Sequence, residues 1–256
     1  MSISTATFES FIHTLTDKSA SIITPLFWDL GLGVDIKSDG SPVTKADRDA
    51  ESAMRELIRK QFPSHGVIGE EFGRENDDAE FVWVLDPIDG TVSFAHKCPL
   101  FGTLIALLHK GQPILGAIHQ PIVQQLCLGN GDETTLNGKR VRVREMRSLL
   151  EATLLATDVA NIARLQNRVG FEALQQHVKV FRTWGDCYGY LLLASGFADI
   201  MVDPIMHIWD IMPLIPIVRG AGGVITAWDG TDPVGASSCV AAGRALHGEA
   251  VRLLAA

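Results

Sequence analysis

The sequence predicts an α/β layered sandwich in two halves, with a site lying between them. Three observations predict it. Apolar runs of strand length alternate with segments of helical spacing, the pattern of sheets covered by helices. Hydrophobic residues make up 46% of the 256 positions, enough to bury a sizeable core in one large domain or two small ones. Five carboxylates, Asp47, Glu70, Asp86, Asp89 and Asp210, fall at the ends of predicted elements rather than along exposed faces.

The elements follow in order. Phe8, Phe11, Ile12 and Leu15, then Ile22, Ile23, Leu26 and Phe27, have helical spacing and predict an amphipathic helix over about 6–30. The turn-rich stretch 31–43 reads as a solvated connector or as a flap that brings Lys37 near a phosphate. Ala50, Met54, Leu57 and Ile58 give the next helix its apolar face. Thr44 suits its cap, and Asp47 suits the positive end of its dipole. Phe62-Pro63-Ser64 ends it. Val67-Ile68 is a short strand before Gly69-Glu70-Glu71. If that segment is extended, only one of the two glutamates can face a given site. Residues 73–80 read as a charged exposed loop.

Phe81 to Leu85 predicts a buried strand that stops at Asp86-Pro87. Asp89, Gly90 and Thr91 follow, then a short helix-like segment. Two carboxylates three residues apart form a cradle for a hard cation such as Mg²⁺, which keeps waters and phosphate oxygens in its shell. Gly90 permits close backbone approach. The amides of Gly90, Thr91 and Val92 offer a seat for an anion. Asp-Pro and Asp-Gly are also common turn formers, so this hexapeptide alone admits a plain turn.

Residues 100–122 predict two strands around a Lys110-Gly111-Gln112 hairpin turn, and 125–128 another strand. The turns at 129–139 mark a boundary between an N-terminal half, 1–135, and a C-terminal half, 136–256. In the second half, strands are expected at 141–144, 153–157, 177–183, 198–202, 224–228 and 238–241. Helices are expected at 161–176, 187–195 and 209–219, with a last one from Arg244.

Composition narrows the function. A net charge of −8 argues against nucleic acid or an anionic membrane as the main partner. No apolar run reaches membrane-span length. The N-terminus lacks the basic cluster of a signal peptide. Cys98, Cys127, Cys187 and Cys239 are scattered without a C-x-x-C pair, which suggests neither zinc nor a disulfide framework. A reducing cytoplasm is the expected compartment. The eight histidines show no metal-ligand spacing. Four carboxylates in one small site repel each other unless cations sit among them. Paired metals can activate water on one side of phosphorus and stabilise the leaving alkoxide on the other. Phosphate-monoester hydrolysis, extremely slow without catalysis, suits such a cluster.

Four motifs stand in order along nearly the whole chain: SPVTKAD (41–47), VIGEE (67–71), WVLDPIDGT (83–91) and WDIMPLIPIVRGAGG (209–223). Together they resemble the Mg²⁺-dependent, Li⁺-sensitive phosphatases typified by inositol monophosphatase. The resemblance implies the αβαβα sandwich shared with fructose-1,6-bisphosphatase. It implies two to three Mg²⁺ ions. Glu70, Asp86 and the Ile88 carbonyl would hold the first; Asp86, Asp89 and Asp210 the second; Glu70 and water a weaker third. Asp47 and Thr91 would orient and deprotonate the attacking water, and the Gly90 and Thr91 amides would bind phosphate. A homodimer is also implied, although no apolar pattern identifies its interface.

Within that family the chain looks most like the histidinol-phosphate phosphatase branch. The segments that carry this are DPIDGTVSF, 97–121 and 182–210, with Gly185-Asp186-Cys187-Tyr188 the strongest marker. Val92-Ser93 departs from an expected Lys-Ser pair. The charge argument agrees, because histidinol phosphate carries an ammonium and an imidazole while inositol phosphate carries only hydroxyls. Asp186 and Asp203 are the candidate partners of a cationic leaving group; each also suits a local role, Asp186 as a helix cap and Asp203 in an Asp-Pro turn. Ser93 joins the substrate-side candidates. Arg182 suits either phosphate or a structural ion pair. Trp184 and Tyr188 suit either imidazole packing or the core. The expected activity is hydrolysis of L-histidinol phosphate in histidine biosynthesis. The alternatives are an inositol or broad sugar-phosphate phosphatase, and a non-catalytic Mg²⁺/phosphate-binding regulatory protein.

Overall fold

The computed structural model describes residues 5–36 and 42–256. Lys37 and the core of the expected flap lie outside the described residues. The first half opens with α1 (Thr5–Trp28), a small β1–β2 pair (Val34–Ile36, Pro42–Thr44) and α2 (Lys45–Gln61). Then come β3 (Gly66–Gly69), β4 (Gly73–Glu75), β5 (Phe81–Asp89) and the short α3 (Thr91–Ala95). A meander follows through β6 (Gly102–His109), β7 (Gln112–Gln120), β8 (Gln125–Gly129), β9 (Thr134–Leu136) and β10 (Lys139–Val141). The second half contains β11 (Thr153–Ala156), α4 (Val159–Leu165), α5 (Arg168–His177), β12 (Val180–Arg182) and α6 (Asp186–Ala194). It closes with β13 (Ile200–Asp203), α7 (Ile208–Gly220), β14 (Gly223–Thr226), β15 (Cys239–Gly243) and α8 (Arg244–Ala255).

Two sheets organise these elements. One has eight strands in the order β10-β9-β8-β7-β6-β5-β3-β4, and the other five in the order β12-β11-β13-β15-β14. Strand alternation then builds the layers. Trp83, Leu85, Ile105 and Leu107 face Phe8, Ile12, Met54 and Ile58 of α1 and α2. Their neighbours Val82, Val84, Leu104 and Ala106 face the other way, onto α6 and α7 and toward Leu155, Met201 and Ala241 of the second sheet. The far side of that sheet, Leu154, Ile200 and Val240, packs on Phe171, Leu174, Leu246 and Leu254 of α5 and α8. The order is helix, sheet, helix, sheet, helix, which is the expected sandwich.

The middle layer matters most for the site. Ile211 to Val218 of α7 are all buried, as expected of a helix covered on both sides. The helix backbone comes close to β7: a Cβ on Gly116 would lie 1.9 Å from the Pro213 carbonyl oxygen. Only glycine permits this approach, and it sets where the N-terminus of α7 sits.

Several boundaries differ from expectation, each for a local reason. The charged loop 73–80 contains β4, whose fully exposed strand pairs antiparallel with β3 and has no alternating pattern to betray it. The turn-rich 129–139 folds as β9 and β10, which extend the first sheet. A division at 135/136 would cut β9; the first sheet ends at Val141 and the second begins at Thr153. The expected strand at 141–144 is therefore only the end of β10. The helix at 161–176 is two helices, because the Asn167 side chain accepts from the Gly170 amide and caps α5 anew. The strand at 177–183 shrinks to Val180–Arg182.

Candidate active site

The site is built first by a break in β5. The strand does not stop at Asp86-Pro87 as its sequence suggests. Asp86 pairs with Leu104 and Asp89 with Gly102, so three steps on β5 match two on β6. In a regular strand, residues three apart face opposite sides. The extra residue restores a common side, and Pro87, which cannot donate to a ladder, is tolerated at such a bulge. Asp86 and Asp89 thus turn the same way. The bulge is tied down: Thr103 Oγ1 donates to the Pro87 carbonyl at 2.8 Å and lies 2.9 Å from Ser19 Oγ on α1. After it, Gly90 has a φ of 90°, and a Cβ there would meet the Leu100 carbonyl at 2.9 Å.

Two helix N-termini complete an acidic cluster that could hold a metal ion. Asp210 is in the first turn of α7, where its Oδ2 accepts the His207 amide at 2.7 Å. Asp89 Oδ2 accepts the Cys187 amide at the start of α6. Both carboxylates therefore sit at positive helix ends. Asp86, Asp89 and Asp210 each offer an oxygen, all within 4.8 Å of one another. The donor set is all oxygen and suits a hard divalent cation such as Mg²⁺. Glu70 is outside this trio but shares a hydrogen bond with Asp86 and lines the adjoining cleft beside Gly90 and Thr91.

Asp47 comes from α2. Its Oδ2 accepts both the amide and the hydroxyl of Thr44, at 2.8 and 2.6 Å, closing a capping box. Its Oδ1 meets the Thr91 hydroxyl at 3.5 Å, and that hydroxyl also donates to the Ile88 carbonyl at 3.0 Å. The Asp47–Thr91 pair and Ile88 are thus in mutual contact.

The electrostatics follow from burial and crowding. Burial drives the Asp86 carboxyl well up, and the charges of Glu70, Asp89 and Asp210 drive it further. Asp89 is raised by burial and then by Asp210. Burial lifts Asp210 to about 7 against the His207 amide bond that lowers it. Asp47 is raised by burial, opposed by its Thr44 bonds. Without a cation, such a cluster holds extra protons.

A second acidic group lies alongside. Asp186 is not the cap of α6; Gly185 is. Asp186 is the first helical residue, with a left-handed φ of 49°, and its amide donates to Thr157 Oγ1 at 2.8 Å. Its carboxylate is therefore free to turn toward Ser93, which hydrogen-bonds it, and toward Gly90. Burial and the Asp89 charge push it up to about 8. Asp203, at the end of β13, accepts from the Tyr190 hydroxyl at 2.9 Å and from Thr157; burial lifts it to about 7. Asp186 and Asp203 line one cleft with Asp89 and Asp210, and Asp186 also lines the adjoining cleft with Glu70, Gly90, Thr91 and Ser93.

Three substrate-side expectations are placed elsewhere. Arg182 is exposed, and its guanidinium donates to its neighbour's carbonyl, Phe181 O, at 2.7 Å. It lines neither cleft. Trp184 is exposed beside them, and Tyr188 packs against the central core. Thr157, Asp158 and Asn161 line both clefts and were not foreseen. Asp158 caps α4 through the Ala160 amide at 2.8 Å. Nothing local marks its second face.

The model of the inositol monophosphatase family matches residues 6–256. The chain is 43% identical over 226 residues to the chloroplastic bifunctional phosphatase IMPL2 of Arabidopsis thaliana, covering 87% of this chain and 65% of that protein. It is 38% identical over 210 residues to a histidinol-phosphatase of Chlorobaculum parvum, covering 82% and 81%. Among solved structures it is similar to an inositol monophosphatase from Zymomonas mobilis, with a TM-score of 0.85 at 38% identity over 95% and 96% of the two chains. A match over all but the first five residues, on a five-layer fold with its acidic cluster at the strand bulge, leaves one assignment: this chain belongs to the inositol monophosphatase family.

Proposed function

We propose that this phosphatase hydrolyses L-histidinol phosphate to L-histidinol and phosphate. One observation carries the reading: Asp186, half-buried, and Asp203, buried, add two carboxylates to the cleft beyond the acidic trio. A leaving group of hydroxyls gives no reason to place that charge there, whereas an ammonium and a protonatable imidazole do. The names of the similar plant and bacterial proteins support the same direction.

In this reading Asp86, Asp89, Asp210, Glu70 and the Ile88 carbonyl hold Mg²⁺, on which the family depends in general, in two to three seats. The metal supplies Lewis acidity and charge neutralisation at the phosphoryl group. The amides of Gly90 and Thr91, with Ser93, bind the phosphate. The Thr91 hydroxyl orients the attacking water and passes its proton toward Asp47 Oδ1, the oxygen that Thr44 leaves available. Attack is in line, with no covalent enzyme intermediate. Asp186 and Asp203 face the departing alcohol's cationic groups, which draw both carboxyls into their ionised form. A homodimer belongs to the proposal on resemblance alone.

A second reading, inositol phosphate or a broad set of sugar phosphates, is favoured by the similarity to the Zymomonas mobilis protein. Phosphate release with Mg²⁺ on histidinol phosphate, inositol 1-phosphate and a nucleoside monophosphate separates the two. A hundredfold preference for histidinol phosphate, about 2.7 kcal/mol of transition-state binding, is expected. Comparable rates on all three would discard the histidinol assignment and leave the broader phosphatase.

A further inference from the structure

Glu51 and Arg55 take no part in the chemistry above, yet they are 0% and 3% exposed. With Asp47 they stand at four-residue spacing on α2, so all three share one helix face. We propose that the Glu51–Arg55 pair is the positioning device for Glu70 and sets the affinity of the metal seat that Glu70 serves; this rests on the metal-site reading given above.

The contacts converge on one turn. Glu51 Oε2 accepts the Glu71 amide at 2.8 Å, and Oε1 accepts the Phe72 amide at 3.2 Å and Arg55 Nε at 2.8 Å. Arg55 Nη2 donates to the Gly73 carbonyl, and Nη1 reaches Glu75 Oε2 at 3.5 Å. The turn is thus gripped through its donors by one side chain and through its acceptor by the other. On the near side, a Cβ on Gly69 would lie 2.0 Å from Glu51 Oε1, so the carboxylate lies against bare backbone. The Glu70 amide donates to the Leu85 carbonyl at 3.2 Å, one residue before Asp86. Glu70 is therefore bracketed by the Gly69 contact on one side, the Glu71 and Phe72 amide bonds on the other, and the strand that carries Asp86.

The chemistry explains why an ion pair does this. A buried ion pair is often no more stabilising than apolar packing of the same volume. Apolar packing, however, cannot hold two amides in a fixed direction, and charge-assisted hydrogen bonds can. A ligand carboxylate a few tenths of an ångström out of place no longer meets its ion, so support around ligands tunes affinity.

The test is a Mn²⁺ titration of the substrate-free protein, read by the free-ion paramagnetic resonance signal, with thermal unfolding in EDTA alongside. Glu51→Gln keeps the side-chain volume but cannot serve both amides and the guanidinium. It is expected to weaken the tightest Mn²⁺ binding tenfold or more. Glu70→Gln is expected to do the same, and the double variant to lose little beyond either single one, since both act on one ligand. Met54→Ala, on the apolar side of α2, lowers the unfolding temperature but leaves the titration unchanged. If Glu51→Gln behaves like Met54→Ala, the pair is merely structural and the proposal is overturned. If Glu51→Gln does not fold, Arg55→Lys is read in the same way. Wild-type protein that takes up no Mn²⁺ would remove the metal-site reading and this proposal with it. Tight wild-type binding that Glu70→Gln weakens and Glu51→Gln does not would remove this proposal alone.

Discussion

The Tyr190 hydroxyl donates to Asp203 Oδ2 at 2.9 Å, and both side chains are buried. The bond favours the ionised carboxyl against a burial that lifts it to about 7. Tyr190→Phe removes the donor, so the Asp203 carboxyl rises further and is less ionised at pH 7. KM for histidinol phosphate is then expected to rise roughly ten- to a hundredfold, the scale of one lost hydrogen bond to a charged group. Raising the pH to 8.5 should recover part of it, while inositol 1-phosphate should change less than twofold. Steady-state kinetics on both substrates at both pH values check this. An equal loss on both would mean the tyrosine is only packing.

Asp186 is the sharper discriminator because it lines both clefts. Asp186→Ser is expected to lower kcat/KM for histidinol phosphate about a hundredfold, near 2.7 kcal/mol, with little loss on inositol 1-phosphate. Equal effects on the two substrates would remove the cation-binding role.

Asp86 contributes to two metal seats in the proposed mechanism and is the most crowded carboxyl of the trio. Asp86→Asn should reduce kcat by a factor of about a thousand or more, on the order of 4 kcal/mol. The same substitution removes a charge that Glu70, Asp89 and Asp210 repel. The metal-free variant should therefore unfold at a higher temperature than metal-free wild type at pH 8. Unchanged metal-dependent activity would place the metal elsewhere, whereas metal binding by wild type without any phosphate release would favour the non-catalytic binding protein.

The pH dependence of stability has a definite sign. Asp203 and Asp210 are raised to about 7 and Asp186 to about 8 in the folded state, from 3.8. The folded protein binds more protons than the unfolded chain between those values, so stability falls as pH rises from about 4 to 8. Metal-free protein should unfold at a higher temperature at pH 5 than at pH 8. Mg²⁺ should raise the unfolding temperature far more at pH 8, where the carboxylates are available. Calorimetry with EDTA or Mg²⁺ at the two pH values measures this, and a Mg²⁺ effect equal at both would contradict it.

Much of this site was legible from residue types and spacing. Asp47, Glu70, Asp86, Asp89, Thr91 and Asp210 stand at element ends, where side chains point out of the sheets and into a cleft, and the structure gathers them. Gly90 and Ser93 lie beside them. Other parts had no local signal. Glu51 and Arg55 look like one more i, i+4 surface pair, and only the β3–β4 turn folded over them makes them buried. Arg182 suits either phosphate or a structural ion pair by its sequence, and β12 is an edge strand that leaves it in solvent.

The sequence by itself determined the layers and the chemistry, because apolar periodicity and the placement of carboxylates are local properties of the chain. Tertiary structure alone decided three things. The β5 bulge turns Asp86 and Asp89 to one side, and it exists only against the register of β6. The depth of α7 against Gly116 brings Asp210 to meet them. The left-handed backbone at Asp186 turns a would-be helix cap toward Gly90 and Ser93. Each depends on a partner far away in sequence, and no pattern within a single element records where that partner lies.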